Sequence, residues 1–534
     1  MNYTNILKQK TTPQSKPIPG KETKMAKNNA GGYAFVISPL ERLKRFLVLG
    51  SDSNTYYVGA KKLTHQNIDN IDAALKDTNY STVVDLVAEY SFSGRVQRND
   101  SCVLALARLW NTSTEIRRYI VESGAYNRVL RYSTDHFQFQ KFVDLLGGTW
   151  NRTRRNAVNQ WYNRYNVDEL QYQIVKYQSR EEWSHHDLCV VGHPTMNDQY
   201  KNAVIEYAVH GYTDLVQNYN NELNLISAYE AIKNAQTVKD VIKIIDHYSL
   251  TWEFVPSQWL GDVTVWRALL PNLPPNALVR NLSRLTANGL LKFGNVDCKY
   301  VMEKLNGYID NPKSRLHPGQ MLMSWGAYSS GKSPNLNWNP VQQIVDLLED
   351  GFYRRFQTVT PSNRNFYIGL DVSGSMDHMM DNLGFNTRTA SSALMLQFVK
   401  TEPYCYTSAF TDSMVHLPIG KNDSIRTVVQ RTSNMRFGRT DCAQPMLDAI
   451  SKSMNNIDVF MVLTDNETWA GDIHPVQALE LYRKKYNPNA KLVVVGMTAT
   501  EFSIADTNDF GMLDVVGFDA QAPELIQNFS KYGF

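Results

Sequence analysis

A chain of 534 residues with 43% hydrophobic and 20% charged positions is long enough for several compact domains, at roughly 100 to 200 residues each. Its 55 basic and 52 acidic residues nearly cancel, so composition alone does not argue for a polyanion or for a protein that coats nucleic acid. The balance is uneven along the chain: 41 basic residues stand against 33 acidic ones in 1–360, and 14 against 19 in 361–534.

The first 28 residues carry six lysines (Lys8, Lys10, Lys16, Lys21, Lys24, Lys27) and three prolines, with little to bury. Such a segment cannot offset its ordering entropy, so residues 1–28 read as a flexible basic tail, a solvated or RNA-contacting arm. From about residue 38 to 356 apolar residues recur at helical spacing, as in Leu40, Leu43, Leu47 and Val341, Ile344, Leu347, Leu348. Breaks fall at Gly147-Gly148, Asn272-Leu273-Pro274-Pro275 and Ser329-Ser330-Gly331. Fifteen or so helices, each too short to be stable alone, must bury their stripes against neighbours. The pattern predicts an α-helical solenoid of degenerate repeats over 29–360, with an irregular bundle as the alternative.

At about residue 361 strand-like runs begin: 365–370, 404–410, 459–463, 492–495 and 513–518. Helical patterns at 388–400, 441–453, 475–485 and 522–531 separate them. This alternation predicts a doubly wound parallel α/β domain over 361–534, with functional loops at the carboxyl ends of its strands.

The first of those strands runs into Asp371-Val372-Ser373-Gly374-Ser375, which sets a carboxylate and two hydroxyls on one loop. Thr440-Asp441 opens a later helix, and Asp465 closes another strand. Hard oxygen donors at low net charge suit Mg²⁺, and two anions leave a position open for an acidic group from elsewhere. The simpler alternative is that Asp371 and the serines cap the next helix. Ser373 has no G-x-S-x-G elbow and no neighbouring base; His378 is close in sequence but flanked by Met379 and Met380. The chain also lacks a phosphate loop, HExxH, and a GxGxxG opening a helix, so the reading is non-enzymatic.

Between Trp150 and Arg180 lie Arg152, Arg154, Arg155, Arg164, Lys176 and Arg180, interleaved with Trp150, Trp161, Tyr162, Tyr165, Tyr172 and Tyr177. Cations for phosphates and aromatic faces for bases are what an RNA surface requires. On a helix over 167–179, Leu170, Ile174 and Tyr177 would face inward, and Lys176 and Arg180 would lie roughly 200° and 240° from Ile174. They are expected to point into solvent.

The five cysteines (Cys102, Cys189, Cys298, Cys405, Cys442) are dispersed with no Cys-x-x-Cys pair. That excludes a disulfide framework and a thiolate zinc site, and fits a reducing cytosol. No N-terminal apolar leader and no run near the ~18 to 20 apolar residues of a membrane helix is present. The expectation is a cytoplasmic, monomeric protein with no membrane contact.

Two resemblances add to this. Asp371, Ser373, Ser375, Thr440 and Asp465 resemble the metal-ion-dependent adhesion site of von Willebrand factor A domains, which implies that they ligate a divalent cation directly or through water. Arg439, a bulky cation beside Thr440, departs from that pattern; it would weaken the site or pair with Asp441. The runs 176–180, 183–188 and His193-Pro194 resemble the TROVE module of the Ro ribonucleoprotein family. So do Gly31-Gly32-Tyr33, 42–50, Tyr56-Tyr57, Arg280-Asn281-Leu282, Leu285-Thr286 and His317-Pro318, with Thr440-Asp441-Cys442 and 464–468 in the second domain. The resemblance implies a ring of HEAT-like repeats closed by the α/β domain, with Y-type noncoding RNA on the outer surface. It also implies that single-stranded 3′ ends of misfolded or precursor RNA enter a central hole, in a quality-control role that can involve an exoribonuclease. It carries Lys176, Arg180 and His193 over as RNA contacts, with His185 and His186 as secondary candidates beside the basic Arg154 and Arg155. The alternative function is a Mg²⁺-dependent module that captures acidic protein partners through the second domain.

Overall fold

The protein is described from a computed structural model, over residues 11–49, 68–93, 95–96, 99–180, 182–314, 316–355, 360–378, 386–435, 438–498, 500–517, 519 and 521–533. Tyr56-Tyr57, Met379-Met380 and the side chain of Arg180 lie outside the described residues.

Nineteen α-helices are found between Pro39 and Arg354 among the described residues. They pack mainly on helices close by in sequence: Asn224–Lys233 on Val238–Tyr248 and Pro318–Ser329 on Gln342–Arg354, which are consecutive, and Asp100–Thr112 on Ser133–Leu145, with two helices between them. That serial packing is how a solenoid buries stripes that no single helix could keep dry. The breaks read from sequence are real ends. Ser133–Leu145 stops before Gly147, which takes φ 78°, and Pro275 is the first residue of its helix, where its missing N–H costs nothing.

One predicted helix is shorter than expected. Val167–Lys176 opens with a capping box between Asn166 and Glu169 but ends at Lys176, not 179. The chain then forms a two-residue hairpin, Ser179–Arg180 against Trp183–Ser184, with Glu182 at φ 66°. Ser184 and Asp187 cap the next helix, His185–Gly192.

The N-terminal reading is corrected for residues 11–28. Strand β1 (Met25–Lys27) pairs antiparallel with β2 (Tyr33–Val36), and Gln14, Ile18, Met25 and Asn28 are buried. Two short hairpins follow, β3 (Ser179–Arg180) with β4 (Trp183–Ser184), and β5 (Lys332–Ser333) with β6 (Leu336–Asn337).

The α/β domain holds β7 (Asn365–Asp371), β8 (Tyr404–Phe410), β9 (Met414–His416), β10 (Val459–Thr464), β11 (Lys491–Gly496), β12 (Phe502–Ser503) and β13 (Met512–Val516). Six of them form one sheet in the order β13-β11-β10-β7-β8-β9. It is parallel except for the edge strand β9, which hairpins back on β8. The purely parallel expectation is thus corrected to a mixed sheet: a three-residue return is too short to read as a strand from sequence. Strand order reverses at β7, so the crevice beyond its carboxyl end is the topological switch point of the domain.

Both ends of the helical series touch this domain. At one end β2 pairs with β12, and buried Arg45 of the helix Pro39–Leu49 reaches Thr500, Phe502 and Asp514. At the other, Glu349 accepts the Ile425 amide at 2.7 Å and Lys400 lies over the Tyr353 ring.

Candidate functional site

Strands β7 and β10 are parallel neighbours, with Leu370 opposite Leu463. Their ends therefore present Asp371 and Thr464 side by side at the switch point. Asp371 Oδ1 accepts the Ser373 amide at 2.9 Å, and its Oδ2 accepts the Thr464 hydroxyl at 2.7 Å. The Ser373 and Ser375 hydroxyls are 3.0 Å apart. Asp465 Oδ1 accepts the Glu467 amide at 3.0 Å, across a tight turn in which Asn466 takes φ 65°.

All five residues of the predicted cation site are buried. Among the described residues no three His, Cys, Asp or Glu side chains converge to cage a metal, so an ion here depends on hydroxyl oxygens. The set fits a hard cation in two respects. Asp465 Oδ2 is buried with no hydrogen-bond partner, an orphan that costs free energy until something positive meets it. Burial also pushes both carboxyls above their usual range, and Asp371 pushes Asp465 further, as expected of like charges buried together. Buried Arg388 contributes a positive charge toward Asp371.

Arg439 does not pair with Asp441. It is exposed and lies over the Trp469 ring, 5.5 Å from its centroid. Asp441 instead accepts from the Ala443 amide, Gln444 and Gln14. Burial lifts its carboxyl to about 6 against those hydrogen bonds.

The basic, aromatic stretch divides into buried and exposed members. Arg154 is fully buried. It donates to Gln140 and Asp144 at 2.8 Å each and lies over the Trp150 ring at 3.9 Å. It shares the inward face of Arg152–Asn163 with Ala157, Val158 and Trp161, at the i, i+3, i+4, i+7 spacing of a buried stripe. Lys176 is also corrected. Its side chain is 13% exposed, 3.2 Å from Glu253 and 2.6 Å from the Tyr172 hydroxyl. The ammonium is neutralised by an acid 77 positions downstream, not displayed to solvent. His185 is buried between the Tyr162 hydroxyl at 2.8 Å and the Gln173 carbonyl at 3.2 Å, and burial pulls it down to about 4. It is a neutral core histidine.

Arg152, Arg155, His186 and His193 are exposed. The Trp150 and Trp183 rings lie 5.8 Å apart and join the β3–β4 hairpin to the start of Arg152–Asn163. Arg152 and Arg155 lie in that helix's first turn, just past Trp150 in sequence, and His186 lies in the first turn of the helix that follows Trp183, 3.6 Å from Asp187. The helix N-terminus adds its own positive potential. His193 sits at the other end of its helix, at φ 48°, next to Pro194 and to Thr195, whose amide Asn159 holds at 2.9 Å. Asn159 is one turn beyond Arg155 in Arg152–Asn163, so the chain around His193 packs on the helix that carries the arginine edge.

Residues that sequence reasoning missed include Gln14, Asn28, Asn29, Thr464, Arg388 and Glu253. Only Thr464 carried a local signal, as a hydroxyl at the end of a strand beside Asp465.

Comparison with known proteins agrees with this two-part build. Residues 26–331 match the TROVE domain model and 365–530 the Ro60 vWA domain model. The chain is similar to the RNA-binding protein RO60 of Deinococcus radiodurans, 35% identical over 521 residues that span 96% of each chain. It is also similar to the RNA-binding protein RO60 of Caenorhabditis elegans, 30% identical over 577 residues, 94% of this chain and 89% of that one. The crystal structure of the Deinococcus radiodurans RO (RSR) protein superposes with a TM-score of 0.69 at 34% identity, over 92% of this chain and 99% of that one.

Proposed function

This chain belongs to the Ro family, in which a TROVE domain precedes a von Willebrand A domain, and on that premise we propose that it is a cytoplasmic, non-enzymatic RNA-binding protein. Structured noncoding RNA of the Y type binds the exposed edge of Arg152, Arg155, Trp150, Trp183 and His186 and extends to His193. Single-stranded 3′ ends of misfolded or immature RNA pass through an opening enclosed by the helical series and the α/β domain, for trimming or disposal by an exoribonuclease. The observation that carries this reading is the exposed arginine pair beside two partly exposed tryptophans, in a chain whose full-length relatives are named RNA-binding proteins. Phosphates are attracted by the cations and unpaired bases by the rings.

Affinity for a stem-loop RNA with a single-stranded tail, measured at several salt concentrations, tests it. The reading expects affinity to fall steeply as salt rises; binding that is absent or insensitive to salt contradicts it.

In the α/β domain, Asp371, Ser373, Ser375, Thr440 and Asp465 would hold one divalent cation, with Mg²⁺ the best match to hard oxygen donors of low net charge. Because these donors are buried, the ion fits a resident, loop-organising role. Capture of a partner's carboxylate would require those loops to open, so Mg²⁺-dependent binding of acidic proteins is the weaker reading.

A further inference from the structure

The two loops that carry Thr440 and Asp465 are both tied to the N-terminal segment. Gln14 is fully buried 427 positions from Asp441, to whose Oδ1 it donates at 2.6 Å. The same amide nitrogen donates to the Ile473 carbonyl at 2.8 Å, and its oxygen accepts the Thr468 hydroxyl at 2.5 Å. The Gln14 backbone N–H donates to the Gly471 carbonyl at 2.9 Å. Farther along, Asn28 donates to the Thr468 carbonyl at 2.8 Å, while Asn29 and the Ala30 amide hold the Glu467 carboxylate at 2.7 and 3.0 Å.

Two glycines report how close this contact is. A Cβ on Gly32 would clash with the Thr468 carbonyl, and one on Gly471 with both Asp441 and the Gln14 amide. The segment thus occupies a groove with no room to spare. Its chemistry is selective as well. Asp441 adjoins Thr440, and Glu467 lies two residues past Asp465, yet both carboxylates are engaged by N-terminal donors. The donors left for an ion are two carboxylates and a set of hydroxyls, the low-charge oxygen set that suits Mg²⁺.

We infer that residues 11–36 are an integral latch of the cation site, with Gln14 as its positioning residue: the segment fixes the Thr440 and Asp465 loops and withholds Asp441 and Glu467 from the ligand set. This rests on the cation reading above. Outer partners of metal ligands set affinity by orienting the ligands.

Mg²⁺ titration calorimetry on the full chain, with urea unfolding in EDTA alongside, tests the latch. The variants are Gln14→Ala, Gly32→Ala and Asn29→Ala, the last retained in case Gln14→Ala does not fold. Leu479→Ala, a buried change in the helix Pro475–Lys485, is the control for lost stability alone. The latch predicts that Gln14→Ala and Gly32→Ala weaken Mg²⁺ binding about 10- to 100-fold, with a smaller loss for Asn29→Ala. Leu479→Ala should unfold earlier yet bind Mg²⁺ like the unaltered chain. Equal Mg²⁺ affinity in all of them, or an equal loss in Leu479→Ala, overturns the latch. If the unaltered chain binds no Mg²⁺, the cation reading itself fails and the latch with it.

Discussion

Arg45, in the first helix of the repeat series, forms a buried ion pair with Asp514 on the edge strand of the α/β sheet. The same guanidinium donates to the Thr500 carbonyl and hydroxyl at 2.8 and 2.9 Å and to the Phe502 carbonyl at 2.9 Å. One side chain therefore ties the first helix to two strands of the second domain. Removing it leaves Asp514 and two carbonyls without their cation, which costs about 3–5 kcal/mol for a buried pair. Arg45→Ala should separate thermal unfolding into two transitions, one per domain, where the unaltered chain shows one. Calorimetry checks this, and Arg45→Lys should recover only part of the coupling, because a lysine cannot reproduce the forked contacts.

The paired carboxyls of the cation site predict a pH dependence whose sign follows from burial. Asp371 and Asp465 are raised above their unfolded values, so the folded state favours the protonated forms. In EDTA the protein should therefore lose stability as pH rises above the ordinary carboxylate range of about 4, until both groups have ionised. Mg²⁺ should restore that loss, and its stabilising effect should grow with pH. Urea midpoints measured with and without Mg²⁺ from pH 5 to 8 read it directly; a Mg²⁺ effect that shrinks with pH contradicts the site.

Three histidines predict the opposite trend in acid. His136, His185 and His317 are buried, and burial pulls His185 and His317 to about 4 and His136 well below its usual value. Depressed histidines contribute stability that is complete above about pH 6.5 and lost as pH falls toward the folded value. Each shift of this size removes roughly 2 kcal/mol between pH 6.5 and 5. His185→Phe keeps the ring packed on Phe137 but takes the imidazole acceptor from the buried Tyr162 hydroxyl. It should cost about 1–3 kcal/mol at pH 7 and flatten the acid loss, as urea denaturation at both pH values would show.

Much of the α/β domain was legible because strand runs and the Asp371-Val372-Ser373-Gly374-Ser375 loop are local patterns. The run 404–410 is strand β8 residue for residue, and 475–485 is a helix with the same ends. Long-range pairing was not legible. Nothing near Lys176 announces Glu253, and nothing in a lysine-rich N-terminus announces that Gln14 will be buried against Asp441. Arg154 is a different case: its spacing to Ala157, Val158 and Trp161 marked the inward face, and counting charges over the stretch obscured that period.

That division of the cations gives opposite expectations for neighbouring residues. Arg154→Ala removes a fully buried guanidinium that bonds buried Gln140 and exposed Asp144 and should cost about 1–3 kcal/mol of stability. Lys176→Ala should cost about 1–2 kcal/mol by stranding Glu253. Both belong in a stability measurement, and any loss of RNA affinity they cause should scale with the unfolded fraction.

The most direct test of the account is the salt dependence of stem-loop RNA binding by Arg152→Ala/Arg155→Ala beside the unaltered chain. The account predicts weaker binding at low salt and a slope of log affinity against log salt that is shallower by about 1.5 to 2, since two phosphate contacts are lost. Identical slopes with identical affinity would contradict it and place the RNA on another face of the molecule.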